Sequence, residues 1–214
     1  VGLGNPDKNL LKTRHNVGYW YLDKFLEKYS VTLSEEKKLN SLFCKIDYSD
    51  QQIFLVKPTF FINDSGKSVS SFMKYYKIAP ESVLVIHDDI DLDVGNVKLK
   101  LGGGHGGHNG LRDIINHIGK DYWRLRIGVS HPGRKELVHN HVLSNPSKDE
   151  ELEILRKNIK NTRTKELEQE ILAYHEECLR LRQMMEDVIK QGPSHPIHIQ
   201  GYVDRANQMQ AELN

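Results

Sequence analysis

The chain has 214 residues, 38% of them hydrophobic and 28% charged, with 30 Lys and Arg against 29 Asp and Glu, which fits a soluble protein with a real core in one or two domains. No apolar run approaches the ~18 residues of a membrane span, and charged residues begin at Asp7, so neither a membrane partner nor a signal peptide is expected. The two cysteines, Cys44 and Cys178, lie far apart without a partner motif, which argues against a disulfide framework and for a reducing, cytoplasmic setting.

Charge is uneven. Residues 1–161 carry 24 basic against 20 acidic side chains, and residues 162–214 carry 6 against 9. Between Lys98 and Lys135 eight basic residues face only Asp113 and Asp121. A basic stripe is commonly a solvated face, but it is also the footprint of a phosphate or nucleic-acid partner.

In chain order, Val1-Gly2-Leu3-Gly4-Asn5-Pro6 reads as the end of a strand and a turn. Only Val1 precedes the first glycine, so this central strand is expected to be weak. Thr13 to Tyr29 reads as a helix with Trp20, Leu22, Phe25 and Leu26 on an apolar face. Residues 43–48 and 52–58 read as strands joined by a turn at Asp50-Gln51. Ser65-Gly66 opens a helix through Tyr76. Residues 82–87 form a continuous apolar run, the mark of a buried parallel strand. Residues 96–101 alternate, with Lys98 and Lys100 on one face, and residues 123–129 alternate with Arg124 and Arg126 on one face. A helix lies between them, from Leu111 to Ile118. Strands alternating with helices predict a single α/β domain over 1–161, with a twisted, mixed, mostly parallel sheet flanked by helices. In such folds sites gather at the carboxyl ends of strands.

The stretch GGGHGGHNG, residues 102–110, holds six glycines in nine positions. Glycine costs conformational entropy, roughly 0.5–1 kcal/mol each against alanine in an ordered element. A linker, a phosphate cradle and a floor where backbone lies close to a ligand are the three readings. It follows a strand, as do Asn5 and Asp88, which argues against the linker. Gly2-Leu3-Gly4 is no dinucleotide fingerprint, because Asp7 stands where the third glycine belongs.

Other stretches carry chemistry. Thr13-Arg14-His15-Asn16-Val17-Gly18 puts a histidine at a helix start, where neutral imidazole can take a proton from water. His87-Asp88-Asp89 ends the buried strand, and a carboxylate there can orient an imidazole and stabilise its protonated form. Asp91 and Asp93 read as turn residues. Asn63 and Asn109 could donate to a carbonyl oxygen gaining charge, against the plainer reading of local turn bonding. His105 and His108, with His87 and Asp88, have metal-ligand chemistry but no fixed helical offset and no nearby cysteine. A His, an Asp and three Asn without a nucleophilic Ser or Cys motif read as a hydrolytic site.

Six stretches in order resemble the bacterial-type peptidyl-tRNA hydrolase family: GLGNP at 2–6, TRHNVG at 13–18, KPTFFINDSG at 57–66, HDDIDL at 87–92, GGHGGHNGL at 103–111 and RLRIG at 124–128. The resemblance covers residues 1 to about 155. It implies hydrolysis of the ester joining peptide to tRNA, with peptidyl-tRNA as partner, no cofactor and no metal. It implies that His15 activates the water, paired with Asp88. Asn5 and Asn109 then hold the peptide backbone and the water, and Asn63 supports the oxyanion. Phe61, Ile62 and His108 join the substrate-binding set, and Lys98, Lys100 and Arg126 face tRNA. The glycine stretch becomes a cleft wall along which peptide main chain lies. Asp7, Leu10 and Ile62 stand where the family commonly has glycine, tyrosine and methionine. The alternative is an RNA-binding or scaffold protein that keeps the fold but has lost activity.

Residues 162–214 lie outside that pattern and read as a helical tail. Leu167, Ile171, Tyr174, Cys178, Leu181, Met185 and Val188 follow at heptad spacing over about 165–190, ended by Gly192-Pro193. The tail packs on its own domain, self-associates as a coiled coil, binds a helical partner or stays disordered. The catalytic domain is expected to be monomeric.

Overall fold

The computed structural model describes residues 1–48 and 51–160. The chain divides into two units, the first of which spans Val1–Lys157. The heptad helix and the segment after it lie outside the described residues.

Six strands, five α-helices and five short 3-10 helices lie among the described residues. The helices are α1 Val17–Tyr29, α2 Ser65–Tyr76, α3 Asn109–Ile118, α4 Val138–Val142 and α5 Lys148–Lys160. The strands are β1 Ser34–Glu36, β2 Ser41–Tyr48, β3 Gln51–Pro58, β4 Leu84–Asp89, β5 Val97–Leu101 and β6 Trp123–Gly128. The strands form two sheets, ordered β1-β2-β3 and β4-β6-β5. The N-terminal residues lie between them. Gly2 N donates to Val56 O of β3 at 3.0 Å, while Leu3 N donates to Ile86 O and Ile86 N to Val1 O on β4. The segment Val1–Leu3 is therefore paired on both sides.

The sheet β4-β6-β5 is mixed, as expected, but β1-β2-β3 is wholly antiparallel, and the expected parallel majority in one sheet is not found. Parallel pairing occurs at β4–β6 and the Gly2–Ile86 bridge, whereas β1–β2, β2–β3 and β5–β6 are antiparallel. The short connection between β2 and β3 allows only a hairpin, since a parallel return needs a crossover of a dozen or more residues. Gln51, expected in that turn, instead opens β3 opposite Tyr48. The short β1 and α4 carried no readable periodicity.

Alternation along β4 distributes its side chains to two cores. Val85 packs with Leu3, Val69, Leu111, Ile114 and Tyr122, beneath α2 and α3. Ile86 packs with Val17, Leu125, Ile127 and Ile154, beneath α1 and α5. The alternation carried one residue further sends His87 toward α3 and Asp88 toward the start of α1.

Gly18 sets how close α1 comes. A Cβ there would lie 2.6 Å from both the amide nitrogen and the carbonyl oxygen of Leu3, and closer still to the carbonyl of Ile86. Backbone therefore touches backbone, and Tyr19 N donates to Leu3 O at 3.1 Å. This brings the 3-10 turn Arg14–Asn16, just before α1, against the end of β4. Gly18→Ala gains helix propensity worth about 1 kcal/mol. The neighbours are backbone and cannot yield, so overpacking of about 1–3 kcal/mol or more is expected to prevail. A lower melting temperature by calorimetry is the expected outcome, and an unchanged or raised one would contradict this packing.

Candidate active site

A cavity of about 820 Å³ opens where the 3-10 turn, β4, the glycine stretch and α4 meet. Its lining brings together Asn5, His15, Phe61, Ile62, Asn63, Asp88, Lys100, His108, Asn109 and Arg126, drawn from positions far apart in the chain. Lys98 is not in the lining. It is exposed on β5, opposite Arg126 in the strand register. Leu10 also lines the cavity. Asp7 accepts from Asn9 N at 2.8 Å and so shapes the turn that leads there.

Asp88 is the centre. It is 4% exposed. His15 Nδ1 lies 2.9 Å from both of its carboxylate oxygens, and His108 Nε2 lies 3.1 Å from Oδ1. Burial pushes the Asp88 carboxyl up, but His15 and His108 outweigh it and hold it well below the usual carboxylate range. Burial likewise works against a charged His15, and the charge and hydrogen bond of Asp88 overcome it, so its pKa is raised.

The hydrogen bonds assign the ring protons. Leu111 N donates to His108 Nδ1 at 3.2 Å, the N-cap bond of α3. Nδ1 is then an acceptor, so His108 donates to Asp88 through Nε2 as a neutral ring. His87 donates from Nδ1 to Asp88 O at 2.7 Å. Burial lowers His87 to about 3, so it stays neutral. Its ring meets His108 edge-on at 5.3 Å, and His108 sits 4.8 Å from His15. His108 spends both nitrogens on Asp88 and Leu111, and His87 Nε2, though without a hydrogen-bond partner, is buried in a ring that stays neutral, which leaves His15 as the ring that takes a proton.

The asparagines are set up differently from one another. Asn16, fully buried, accepts from Asn5 N and donates to Asn5 O, both at 2.9 Å. Ile62 N donates to Asn5 Oδ1 at 2.9 Å. With that oxygen engaged, Asn5 offers the cleft its amide N–H groups. Asn63 and Asn109 are exposed at the cleft. Among the described residues their side chains make no hydrogen bond, so both amides are free for a ligand.

The glycine stretch is a wall without side chains. Gly102, Gly103, Gly106 and Gly107 have positive φ of 67°, 101°, 55° and 82°, which glycine adopts readily. A Cβ at Gly104, Gly106 or Gly107 would meet nothing, so these positions face open space. Arg124, 3% exposed, fastens the stretch by donating to Gly103 O at 2.6 Å and to Gly104 O.

That changes the basic stripe. Arg124 is a structural cation inside the fold. Arg126 Nε lies 2.6 Å from Asp89 Oδ2 and is already paired. Lys98 and Lys100 have no ion pair among the described residues. The charge run in the sequence did not reveal this, because a guanidinium that holds a backbone turn and one that faces solvent look alike in a sequence.

A metal set of His105, His108, His87 and Asp88 does not assemble. His105 Nδ1 accepts from Gly107 N, and His87 Nδ1 is used by Asp88 O. The group with ligand atoms close together is His15, Asp88 and His108, within 4.8 Å of one another. An ion there would have to displace the hydrogen bonds that join them. Asn16 and the wall residues between His131 and Leu143 were missed from the sequence, and His87 was weighed there only as a metal ligand. Asn16 and His87 fell inside the recognised motifs, but only the fold shows what they hold.

The family model described as peptidyl-tRNA hydrolase matches residues 1–187. Peptidyl-tRNA hydrolase of Acinetobacter baylyi is 46% identical over 151 residues, 71% of this chain and 78% of that protein. That of Francisella tularensis subsp. novicida is 51% identical over 148 residues, 69% of this chain and 78% of the other. The crystal structure of the Acinetobacter baumannii enzyme superposes with a TM-score of 0.69 at 44% identity, covering 72% of this chain and 78% of that one.

Asp88→Asn removes the carboxylate charge and leaves the desolvation. The His15 pKa, raised above 6.5 in the native site, is then expected to fall below that value. Titration of the His15 ring protons by NMR measures it. A midpoint that stays raised would mean that Asp88 does not govern His15.

Proposed function

The chain belongs to the peptidyl-tRNA hydrolase family, and from that premise we propose how its side chains divide the work. The protein hydrolyses the ester bond between peptide and tRNA in peptidyl-tRNA. The inactive-scaffold alternative has no support in these relatives. The observation that carries the residue roles is the His15–Asp88 pair at 2.9 Å on the floor of the cavity.

His15 is the general base. Its Nε2 takes a proton from water as the water oxygen bonds to the ester carbonyl carbon. The imidazolium that forms is stabilised by Asp88, which remains a carboxylate. Charge gathers on the carbonyl oxygen of the tetrahedral intermediate. The free amide of Asn63 donates to it, in the manner of an oxyanion hole. Collapse breaks the bond to the ribose oxygen, and His15 returns its proton to that oxygen. Peptide acid and free tRNA leave, and the ring is neutral again. Asn5 and Asn109 hold the peptide backbone and the water from either side. His108 contributes a neutral donor that keeps Asp88 ionised and aimed.

Phe61, 54% exposed, and the buried Ile62 form the apolar edge. The bare glycine wall accepts peptide main chain without reading its side chains. Lys98 and Lys100 take tRNA phosphate directly, and Arg126 does so while sharing its charge with Asp89. No helix among the described residues is long and apolar enough to cross a membrane. Action in the cytoplasm, a monomeric catalytic domain over 1–161 and a tail over 162–214 that self-associates or meets a helical partner complete the reading.

His15→Ala is expected to lower the release of peptide from an N-blocked aminoacyl-tRNA by roughly 10²–10⁴-fold, with tRNA binding retained and with chelator present throughout. Equal loss of turnover and binding would refute the base assignment. In the native protein kcat/KM rises with pH through the raised pKa of His15, because the base is the deprotonated ring.

Lys98→Ala combined with Lys100→Ala is expected to reduce the slope of log affinity against log salt by about 1–2. An unchanged slope in a tRNA-binding titration would remove both lysines from the phosphate contact.

A further inference from the structure

Arg14 stands next to the catalytic histidine, yet points away from the reaction. It is 7% exposed, and its guanidinium gathers one segment of the chain. Nη1 lies 2.7 Å from Ser144 Oγ, 3.3 Å from His141 O and Ser144 O, and 3.2 Å from Asn145 O. Nη2 donates to both oxygens of Glu150, at 3.1 and 2.9 Å. The Arg14 backbone N–H adds a bond to Ser144 O at 3.1 Å.

The partners are the groups a helix end leaves unsatisfied. The three carbonyls lie at and just past the C-terminal end of α4. Glu150 belongs to the capping box of α5, where Ser147 N donates to its carboxylate at 2.7 Å and Glu150 N donates to Ser147 Oγ at 3.2 Å. One buried cation thus joins the end of α4, the start of α5 and the turn that carries His15. Val138, His139, Val142 and Leu143, from α4 and the residue after it, line the cavity together with the glycine wall.

We propose that Arg14 is a positioning residue that fixes the α4 wall of the cavity against the His15 turn, so that a bound substrate is held at a set distance from the base. This rests on the reading of the cavity as the substrate site. Lysine cannot replace the fork, because its compact ammonium does not span carbonyls and carboxylate together. Loss of the clamp acts on substrate placement rather than on His15 itself, whose charge partner is Asp88.

The test compares Arg14→Lys, Glu150→Gln and their combination with the wild-type full chain. Amide hydrogen exchange is expected to quicken across residues 138–145 in Arg14→Lys while β6 and α2 keep their protection. With N-acetyl-aminoacyl-tRNA as probe, KM is expected to rise roughly ten-fold, with kcat within about two-fold of wild type and the pH profile unmoved. Glu150→Gln moves both readings the same way and by less, and it stands in should Arg14→Lys fail to fold. The combination is expected to be no worse than Arg14→Lys alone, since both break one clamp. Unchanged exchange in 138–145, unchanged KM, or effects that simply add would each overturn the proposal. A wild type that fails to hydrolyse the probe would instead sink the reading of the cavity, and the exchange data would still decide the clamp.

Discussion

A buried carboxylate has to be compensated, and much of this site follows from how Asp88 is. Removing an ion from water costs several kcal/mol unless partners replace the solvent. Here the partners are two imidazoles from different parts of the chain, on the turn before α1 and at the head of α3. Both must be held to bonding distance, which requires α1 to lie backbone to backbone on the N-terminal segment and β4. That gives Gly18 its role. The charge that Asp88 needs to neutralise is not fully present in the resting site, because His108 is a neutral donor. It is completed when His15 becomes cationic, which is the state the reaction creates.

The cations divide by type. Arg14 and Arg124 lie inside, each holding several backbone carbonyls in a fixed planar array. Arg126 sits at the margin with Asp89. The lysines of β5 are left for outside partners. This follows from side-chain chemistry. A guanidinium is weakly hydrated and presents a rigid fork, which suits burial among carbonyls, whereas an ammonium is a strongly hydrated point charge on a flexible stem. Net charge along the sequence therefore overstated what tRNA meets.

Most elements were readable from period and punctuation. The helix opened by Ser65-Gly66 and closed at Tyr76 appears with those bounds, and the facing lysines of β5 follow from strict alternation. The strand directions were less legible. An apolar run signals burial, and β4 is indeed buried and parallel to β6, but the same signal does not say how its neighbours run. The candidate site was visible as residue types in motifs, and the cavity gathers nearly all of them. What stayed hidden was the support. Asn16 mimics a strand partner for Asn5, and His87 braces His108, through contacts made between residues 11 or more positions apart. No local pattern encodes such pairs.

His108 joins two things that are usually separate. Its Nδ1 caps α3 and its Nε2 holds Asp88. A helix of ten residues is not stable alone, and its first turn is the part most prone to fray. When that turn opens, the cap bond breaks, the ring is free to rotate, and Asp88 loses one of its two partners. The site therefore cannot survive a local opening that the rest of the domain would tolerate. Under mild heat or denaturant, hydrolysis would fade ahead of global unfolding, and any molecule that settles on the head of α3 would act on the reaction through a single imidazole.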